Sequence, residues 1–378
     1  MDGVSDPCEK SGIGSRSKCR YSENFEPINE QPHLYTCHTN IKMGPFLFYG
    51  VFSGFNGGDE AAKYVMNQLV HVIFKEQPIT VAQKPEDVIT SLKQKYERVV
   101  QEYMQTHGDT LSNRLLVQEN ISNHLSIEEI NDRISRGTTL IVALIIQNDM
   151  YIISCGRSIA VIIQDSYAGD DIPIQLNDII HENTNEEEID RLLHLQVDPD
   201  KVENPTRAIG DLHRSLFYTE IDDFKNATGP PVISEPLVQH HMIRENWKYL
   251  ILLSDGVVEN LKKMNTDNIP STVLKYLREE QTPRNTAQAL VDAFSRNHLD
   301  FVSSSTTVHH SLNVMEEMTV LFHELASYKS FAFTSESTND SRELIGNTSY
   351  TGIPYVDAKH DSQSENFKNM EEYLLKLT

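Results

Sequence analysis

Cysteine is scarce and scattered in this chain of 378 residues. The four cysteines, Cys8, Cys19, Cys37 and Cys155, lie far apart and form no C-x-x-C pair. A disulfide framework or a structural zinc site needs cysteines or histidines at characteristic spacings, so the sequence predicts neither.

Long apolar runs are also missing. No apolar stretch approaches the roughly 20 residues that a membrane-spanning helix needs. The first six residues lack the basic and apolar regions of a signal peptide. We therefore expect no membrane insertion and an intracellular, cytoplasmic protein.

Positive charge is in short supply, because 33 Lys and Arg stand against 55 Asp and Glu, for a formal net charge of -22. Such a balance disfavours non-specific binding to nucleic acid or to an anionic membrane, and we expect no nucleic-acid partner. Its simplest interpretation is solubility. Apolar material is plentiful, at 39% hydrophobic residues, so the chain can form a core and is not disordered throughout.

Helix and strand patterns alternate up to about residue 325. Apolar residues after Gly58 fall at helical spacing until near Pro78, and residues 86–106 and 186–195 also predict helices. Residues 108–135 are polar and weakly periodic, which indicates a partly helical insertion.

Five runs rich in β-branched and other apolar residues predict strands. Three of them are joined by short turns, which predicts adjacent antiparallel strands. Their near-continuous hydrophobicity predicts burial on both faces, as in a sheet covered by a second sheet and by helices. The runs cover residues 140–146, 150–155, 159–163, 249–254 and 318–322.

The composition changes after residue 325, so we expect three parts: a domain at 1–325, a linker at 326–353 and a terminal segment at 354–378. The linker is rich in Ser, Thr, Asn and Gly and lacks apolar periodicity, which is typical of flexible chain. The terminal segment has an apolar stripe at helical spacing, formed by Phe367, Met370, Tyr373, Leu374 and Leu377.

The most informative segment is residues 49–58, where an apolar run enters a glycine cluster and a helical pattern follows. Strand, tight turn and helix are a common setting for an active-site loop. The segment resembles the Val-Phe-Asp-Gly-His-Gly-Gly motif of metal-dependent protein phosphatases of type 2C. In that family the Asp bridges two divalent metals and the first Gly offers its carbonyl. Here Ser53 stands at the Asp position, Gly54 at the Gly position and Phe55 at the His position.

Other segments resemble the same family in order and spacing. Residues 137–139 resemble its Ser/Thr-rich strand opening, residues 206–211 its Ser-Arg-Ala-x-Gly-Asp signature, residues 253–256 its Ser-Asp-Gly motif and residues 316–320 its Asp-Asn-Met-Thr/Ser-Val site. The resemblance implies an α+β fold that is a four-layer α/β/β/α sandwich. Two packed antiparallel sheets would be flanked by helices, with a flexible C-terminal tail.

The residues that carry the chemistry of the family are changed. Asn24 replaces a metal-ligand Glu, Ser53 the bridging Asp and Arg157 a further metal-associated Asp, whereas Asp255 is retained and Glu316 stands for the last ligand Asp. Bridging anions screen the repulsion between two divalent cations, so these losses should empty at least one metal position. We therefore expect no cofactor, no catalysis and hence a pseudophosphatase.

The remaining polar residues of these motifs also have structural interpretations. Arg20 stands at the phosphate-binding Arg of the family, and without metals we expect an ordinary surface arginine. Arg207 and Asp211 are expected to form a structural salt bridge or hydrogen-bond element. Asp255 is interpreted as closing a turn after a buried strand, because Asp-Gly is a common turn pair.

Details outside the metal positions resemble one pseudophosphatase branch of this family. Members of that branch activate a mitogen-activated kinase kinase kinase of the TGF-β-activated type. The details are residues 8–15, 218–222 and 231–236, the Glu-Glu-Met-Thr at 316–319, and Pro-Tyr-Val-Asp at 354–357. In that branch such a terminal segment, followed by Phe, docks on the kinase. Here Ala358 follows instead, so we expect the docking element to continue into the apolar stripe.

The resemblance implies a non-catalytic adaptor and allosteric activator in stress, cytokine and innate immune signalling. Its tail would bind the kinase, and a stress-activated mitogen-activated kinase is a further partner expected for the folded domain. The expected kinase-docking residues are Tyr355, Val356, Asp357, Phe367, Met370, Tyr373 and Leu374.

Alternatives stay open at this point. The chain could be an active Mn/Mg-dependent Ser/Thr phosphatase with other ligands, for which Glu23, Asp59 and Glu60 are the nearby carboxylates. Asp59 and Glu60 are better explained as the start of a helix, where acidic side chains favour the helix dipole. A phosphopeptide-binding module is another possibility, and the tail helix could also pack on its own domain.

Overall fold

The computed structural model describes residues 11–22, 26–30, 33–75, 79–119, 126–166, 169–266, 268–279, 285–304 and 313–325, with the backbone alone for residues 29 and 30. The expected linker, the terminal segment with its docking residues, and Glu23 and Asn24 lie outside the described residues.

The strands follow one another along the whole described chain. In chain order they are β1 (Ser11–Arg16), β2 (Cys19–Tyr21), β3 (Pro27–Glu30), β4 (Thr36–Met43), β5 (Phe46–Phe55), β6 (Gly137–Ile146), β7 (Asp149–Cys155), β8 (Ile159–Gln164), β9 (Ile172–Gln175), β10 (Ile209–Gly210), β11 (Leu237–Met242), β12 (Trp247–Leu253), β13 (Val314–Met315) and β14 (Met318–Glu324).

Helices fill the segments between the strands. They are α1 (Asp59–Phe74), α2 (Pro85–Gln105), α3 (Gly108–Gln118), α4 (Ile127–Ile134), α5 (Glu186–His194), α6 (Leu212–Ser215), α7 (Asp255–Lys263), α8 (Ile269–Glu279) and α9 (Thr286–Ser304). None of these described helices is long and apolar enough to cross a membrane.

Two antiparallel sheets pack face to face. One has the strand order β1-β14-β12-β8-β9 and the other β11-β7-β6-β5-β4, with β10 paired to β6; β13, β2 and β3 form a small third sheet. Side chains alternate between the two faces of a strand, so every second residue of β5 points into the space between the sheets. Leu47, Tyr49 and Val51 do so, and they join a buried cluster with Ile162 and Leu252 of the opposite sheet.

Helices cover the outer faces of both sheets. α1 and α2 pack over β5, β6 and β11, where Phe48 and Phe52 of β5 share a buried cluster with Leu69 and Leu92. α7, α8 and α9 cover the other sheet, and Leu290 joins the buried cluster there. The predicted α/β/β/α sandwich is therefore confirmed for the described residues.

One strand pairing differs from the prediction of three adjacent strands. β6 and β7 pair in a hairpin, but β8 belongs to the opposite sheet, where it lies between β12 and β9. The chain crosses over at Gly156, whose φ is +107°. β7 and β8 are both buried on two faces, so they carry the same continuous apolar pattern and the sequence could not separate them.

The insertion at 108–135 contains two helices, α3 and α4. α4 begins with a capping box, in which Ser126 accepts from the Glu129 amide and Glu129 accepts from the Ser126 amide. Ile130 and Ile134 of α4 pack with Leu212 and Phe217, which follow the 206–211 motif. The insertion therefore supports the segment after that motif.

Candidate functional site

The segments that resemble phosphatase motifs meet at one end of the sandwich. β5 ends there opposite the start of β6, where Phe55 pairs with Gly137. In the other sheet β12 ends there beside the starts of β8 and β14, with Leu253 opposite Ile159 and Val320. Antiparallel pairing thus brings loops from distant parts of the chain to one edge.

Ser53 lies near the end of β5, on the strand face that carries Val51 and points between the two sheets. It stands opposite Thr36 of β4 and Thr139 of β6. Ser53 is 6% exposed. Neither its Oγ nor the Oγ1 of Thr139 has a hydrogen-bond partner among the described residues. A neutral hydroxyl at this place cannot supply the bridging negative charge that hard cations require.

The turn after Ser53 is closely packed. The amide of Gly54 donates to the carbonyl of Tyr35 at 3.1 Å. A Cβ at Gly54 would lie 2.5 Å from the Gly58 carbonyl oxygen, so this close approach requires glycine. The ring of Phe55 lies against Gly137, where a Cβ would be 2.6 Å from Cζ. An apolar ring packed on the start of β6 therefore stands where the family motif has histidine.

Arg157 follows β7 and forms ion pairs with two carboxylates of α7. Its Nε lies 2.7 Å from Oδ1 of Asp255 and its Nη2 3.3 Å from Oδ2, while Nη1 lies 2.5 Å from Oε2 of Glu259. The Arg157 side chain is only 10% exposed. Burial by itself lowers the pKa of Arg157, but Asp255 and Glu259 outweigh burial and raise it above its usual value. Arg157 is therefore a permanent cation.

Glu316, between β13 and β14, is also paired with cations. Its Oε2 lies 2.7 Å from Nζ of Lys18 and its Oε1 3.0 Å from Nζ of Lys263. The side chain of Asn260 holds the backbone of Glu316 with two hydrogen bonds of 2.9 Å. Burial raises the pKa of Glu316, but Lys263 and Lys18 outweigh it and hold the pKa below its usual value. Glu316 is thus ionised and neutralised within the protein.

Lys263 connects these two sets of ion pairs, because its Nζ also lies 3.8 Å from Oε1 of Glu259. Negative and positive side chains alternate along the resulting line. We call this line the charge chain: Asp255, Arg157, Glu259, Lys263, Glu316 and Lys18. Its charges cancel, so each carboxylate already has a cationic partner.

A pair of divalent metals does not fit this arrangement. Both retained carboxylates, Asp255 and Glu316, are neutralised by Arg157 and by lysines. Within the described parts of the chain, no group of three or more His, Cys, Asp or Glu converges in a way that could hold a metal ion. A divalent cation would have to displace protein cations and would still lack the bridging anion at Ser53.

The 206–211 motif forms its own salt bridges, with partners outside the charge chain. Nη2 of Arg207 lies 2.6 Å from Oε1 of Glu188, and Nη2 of Arg191 lies 2.8 Å from the second oxygen of the same fully buried carboxylate. Asp211 pairs with Arg214 at 2.5 Å and caps α6. These contacts agree with the structural interpretation of Arg207 and Asp211.

Arg20 and the pair Asp59 and Glu60 lie at the surface and at a helix start, as their structural interpretations predict. Arg20 is exposed on β2, as expected for a surface arginine. Asp59 and Glu60 form the first turn of α1, and Asp59 pairs with Lys63 at 2.9 Å. The carboxylate of Asp59 therefore forms an ion pair within its own helix.

His181 is a positioning residue that the sequence did not indicate. Its Nδ1 accepts the Gly156 amide at 3.0 Å, and its own amide donates to the Gly156 carbonyl at 3.1 Å. Its carbonyl accepts the Thr206 amide at 3.1 Å. Burial lowers the pKa of His181 to about 4, so the neutral ring accepts this bond. His181 thus fixes the loop that carries Arg157.

The sequence also missed other members of the site. Glu259 and Lys263 follow Asp255 at intervals of four residues, so helical spacing could have indicated them. Lys18 and Glu317 gave no such signal. The carboxylate of Glu317 accepts backbone amides at 2.7 and 2.5 Å at the start of β4, and it thereby joins the β14 loop to the strand beside Ser53.

Most of the chain matches known proteins. Residues 36–298 match the family described as Protein phosphatase 2C. The Caenorhabditis elegans protein named TGF-beta-activated kinase 1 and MAP3K7-binding protein 1 is 42% identical over 377 residues, which covers 97% of this chain and 95% of that protein. Probable protein phosphatase 2C 13 of Arabidopsis thaliana is 28% identical over 251 residues, which covers 65% of this chain and 57% of that protein.

One solved structure has a similar fold. The structure described as that of a C. elegans sex determining protein has a TM-score of 0.51 and 14% identity, and the match covers 85% of this chain and 66% of that one. At this identity the similarity concerns the fold alone.

Proposed function

The chain belongs to the protein phosphatase 2C family, and from this premise we propose that it is a pseudophosphatase that binds and allosterically activates a protein kinase of the TGF-β-activated type. Kinase binding is supported by the name of the C. elegans relative, TGF-beta-activated kinase 1 and MAP3K7-binding protein 1, which aligns with 97% of this chain. The adaptor and activator roles in stress, cytokine and innate immune signalling follow the resemblance described for the sequence.

The charge chain is the observation that carries the proposal that the protein is not an enzyme. In metal-dependent phosphatases the divalent ions lower the pKa of the attacking water and stabilise the charge that develops on phosphate. Here Asp255 and Glu316 are paired with protein cations, and Ser53 is neutral and buried. This donor set leaves the attacking water without an activating ion.

The proposal that the protein has no phosphatase activity is tested with the purified full-length chain. The substrates are phosphoserine or phosphothreonine peptides in the presence of Mn²⁺ or Mg²⁺. We expect no turnover above that of the Asp255→Asn variant, and calorimetry should show no pair of tight Mn²⁺ sites. Two tight sites together with turnover that Asp255→Asn abolishes would establish the active phosphatase instead. Binding of the phosphopeptide without hydrolysis would favour a phosphopeptide-binding module.

We propose residues 354–378 as the kinase-docking element, on the basis of the Pro-Tyr-Val-Asp resemblance and the apolar stripe. An amphipathic helix binds into a groove by burying such a stripe. The test is a calorimetric titration of the kinase catalytic domain with the full chain and with a chain that ends at residue 353. Equal affinity of the two chains would show that the folded domain, and not residues 354–378, binds the kinase.

A stress-activated mitogen-activated kinase is the second partner that we propose for the folded domain. The same pair of chains tests this assignment, because binding to the folded domain should survive removal of residues 354–378. Loss of binding on truncation would assign this partner to the tail as well.

A further inference from the structure

We propose that Arg157 is the resident cation of the degenerate centre: its guanidinium takes the electrostatic place of a divalent ion beside Asp255 and Glu259 and excludes such ions from both carboxylates. The inference rests on the proposed function and deepens it. It assigns the loss of metal binding to an added cation as well as to missing carboxylates, so restoring a carboxylate alone is not sufficient.

Both oxygens of Asp255 are engaged by Arg157. The fork-shaped contact, with Nε at 2.7 Å and Nη2 at 3.3 Å, has the bidentate form that a planar guanidinium makes with a carboxylate. Hard cations bind carboxylate oxygens at roughly 2.0–2.6 Å. A divalent ion on Asp255 would therefore have to share oxygens with a fixed positive charge, and the two cations would repel each other.

The loop that carries Arg157 is held in place by its neighbours. Gly156 has φ of +107°, and a Cβ there would lie 2.4 Å from side-chain atoms of Thr139, so the backbone packs directly on β6. His181 accepts the Gly156 amide at 3.0 Å. These contacts fix the backbone next to Arg157 and direct the guanidinium to α7 before any ligand arrives.

Compensation of charge continues along α7, which makes displacement of Arg157 costly. Without Arg157, the carboxylate of Asp255, whose side chain is 15% exposed, would lose its cationic partner. Among the described residues, Glu259 would keep the 3.8 Å contact with Lys263, which already neutralises Glu316. Uncompensated charge in a desolvated site is strongly unfavourable. The retained Asp of the Ser-Asp-Gly motif thus acts as the counter-ion of Arg157.

The experiment measures Mn²⁺ binding by calorimetry and by the Mn²⁺-dependent shift of the thermal unfolding midpoint, on the full-length chain. The variants are Ser53→Asp alone and Ser53→Asp combined with Arg157→Ala. We expect no Mn²⁺ effect on the wild type and only weak Mn²⁺ binding by Ser53→Asp. The double variant should bind Mn²⁺ about tenfold more tightly or better than Ser53→Asp, because the repelling charge is gone.

The matched control is Ser53→Asp combined with Arg207→Ala, which also removes a mostly shielded arginine, 15% exposed, from a carboxylate, that of Glu188. This control should gain no Mn²⁺ binding. If Arg157→Ala prevents folding, Arg157→Gln replaces it, since glutamine keeps amide donors and removes the charge. Ser53→Asp binding Mn²⁺ as tightly as the folded double variant would overturn the inference. Two Mn²⁺ sites with turnover in the wild type would instead refute the proposed function.

Discussion

Arg114 of α3 and Glu220 form an ion pair between parts of the chain that are 106 residues apart, with Nη1 and Oε1 separated by 3.1 Å. The Arg114 side chain is fully buried, whereas that of Glu220 is 42% exposed. The guanidinium also lies 3.8 Å from the ring centroid of Phe217. This pair fastens the 108–135 insertion to the segment after the 206–211 motif.

The unequal burial of this pair predicts unequal effects of substitution. Glu220→Gln leaves a fully buried guanidinium without its counter-charge, whereas Arg114→Met leaves a carboxylate that water can solvate. We expect the free energy of unfolding to fall by about 3 kcal/mol for Glu220→Gln and by about 1 kcal/mol for Arg114→Met. Urea denaturation measures both values.

Glu102→Gln is the control for this prediction, because Glu102 pairs with Arg98 on the surface of α2. Exposed pairs of this kind contribute little, and we expect a loss below about 0.5 kcal/mol. Equal losses for Glu220→Gln and Arg114→Met would contradict the argument from burial.

Two buried histidines predict that the fold is sensitive to acid. Burial lowers the pKa of His323 to about 3 and that of His181 to about 4. Unfolded histidine has a pKa near 6.5, so below that pH the unfolded chain takes up protons that the folded chain does not. The stability that these rings contribute is complete above about pH 6.5. It should fall by about 2 kcal/mol for each histidine by about pH 5.

The measurement is urea denaturation of the wild type and of His323→Gln. It is made once above about pH 6.5 and once at about pH 5. Removing His323 should reduce the loss on acidification by about 2 kcal/mol. His194→Gln serves as the control, because His194 is exposed at the end of α5. An unchanged loss in His323→Gln would show that His323 does not stay neutral in the folded chain.

The retained Gly256 has a steric reason to be glycine. A Cβ at this position in α7 would lie 1.9 Å from the carbonyl oxygen of Glu317, so backbone would have to move. We expect Gly256→Ala to lower the free energy of unfolding by roughly 3 kcal/mol, in the range of severe overpacking. Gly44→Ala is the comparison, because a Cβ there meets nothing within 4 Å and only its φ of +57° opposes the change. A smaller effect at Gly256 than at Gly44 would argue against this packing.

The tail prediction concerns the apolar anchors of the proposed docking element. Interfaces concentrate binding energy in a few large side chains, so Phe367→Ala or Tyr373→Ala should each cost about 2 kcal/mol of kinase affinity, roughly thirtyfold. Lys368→Ala, on the polar side of the helical pattern, should change affinity little. Titration of the kinase domain with the full-length variants checks this. Wild-type affinity in both aromatic variants would show that the stripe is not the anchor.

Much of the fold could be predicted because periodicity is a local property. The strand pattern at 249–254 corresponds to β12, and the helical patterns at 86–106 and 186–195 correspond to α2 and α5, with bounds that differ by one or two residues. The transfer of β8 to the opposite sheet could not be predicted. That choice depends on the crossover at Gly156 and on contacts with β12, which no local pattern of β8 contains.

The sequence by itself determined which kinds of side chain stand at the centre. It placed a hydroxyl at Ser53, a cation at Arg157 and carboxylates at Asp255 and Glu316, and motif order related them to one family. It suggested a turn as the reason for Asp255 and gave no reason for Arg157. Only the tertiary structure decided that these two residues neutralise each other across 98 positions of the chain. Charges so distant meet only when β7 and β12 end at the same edge and α7 packs there, and such pairing depends on the whole sandwich.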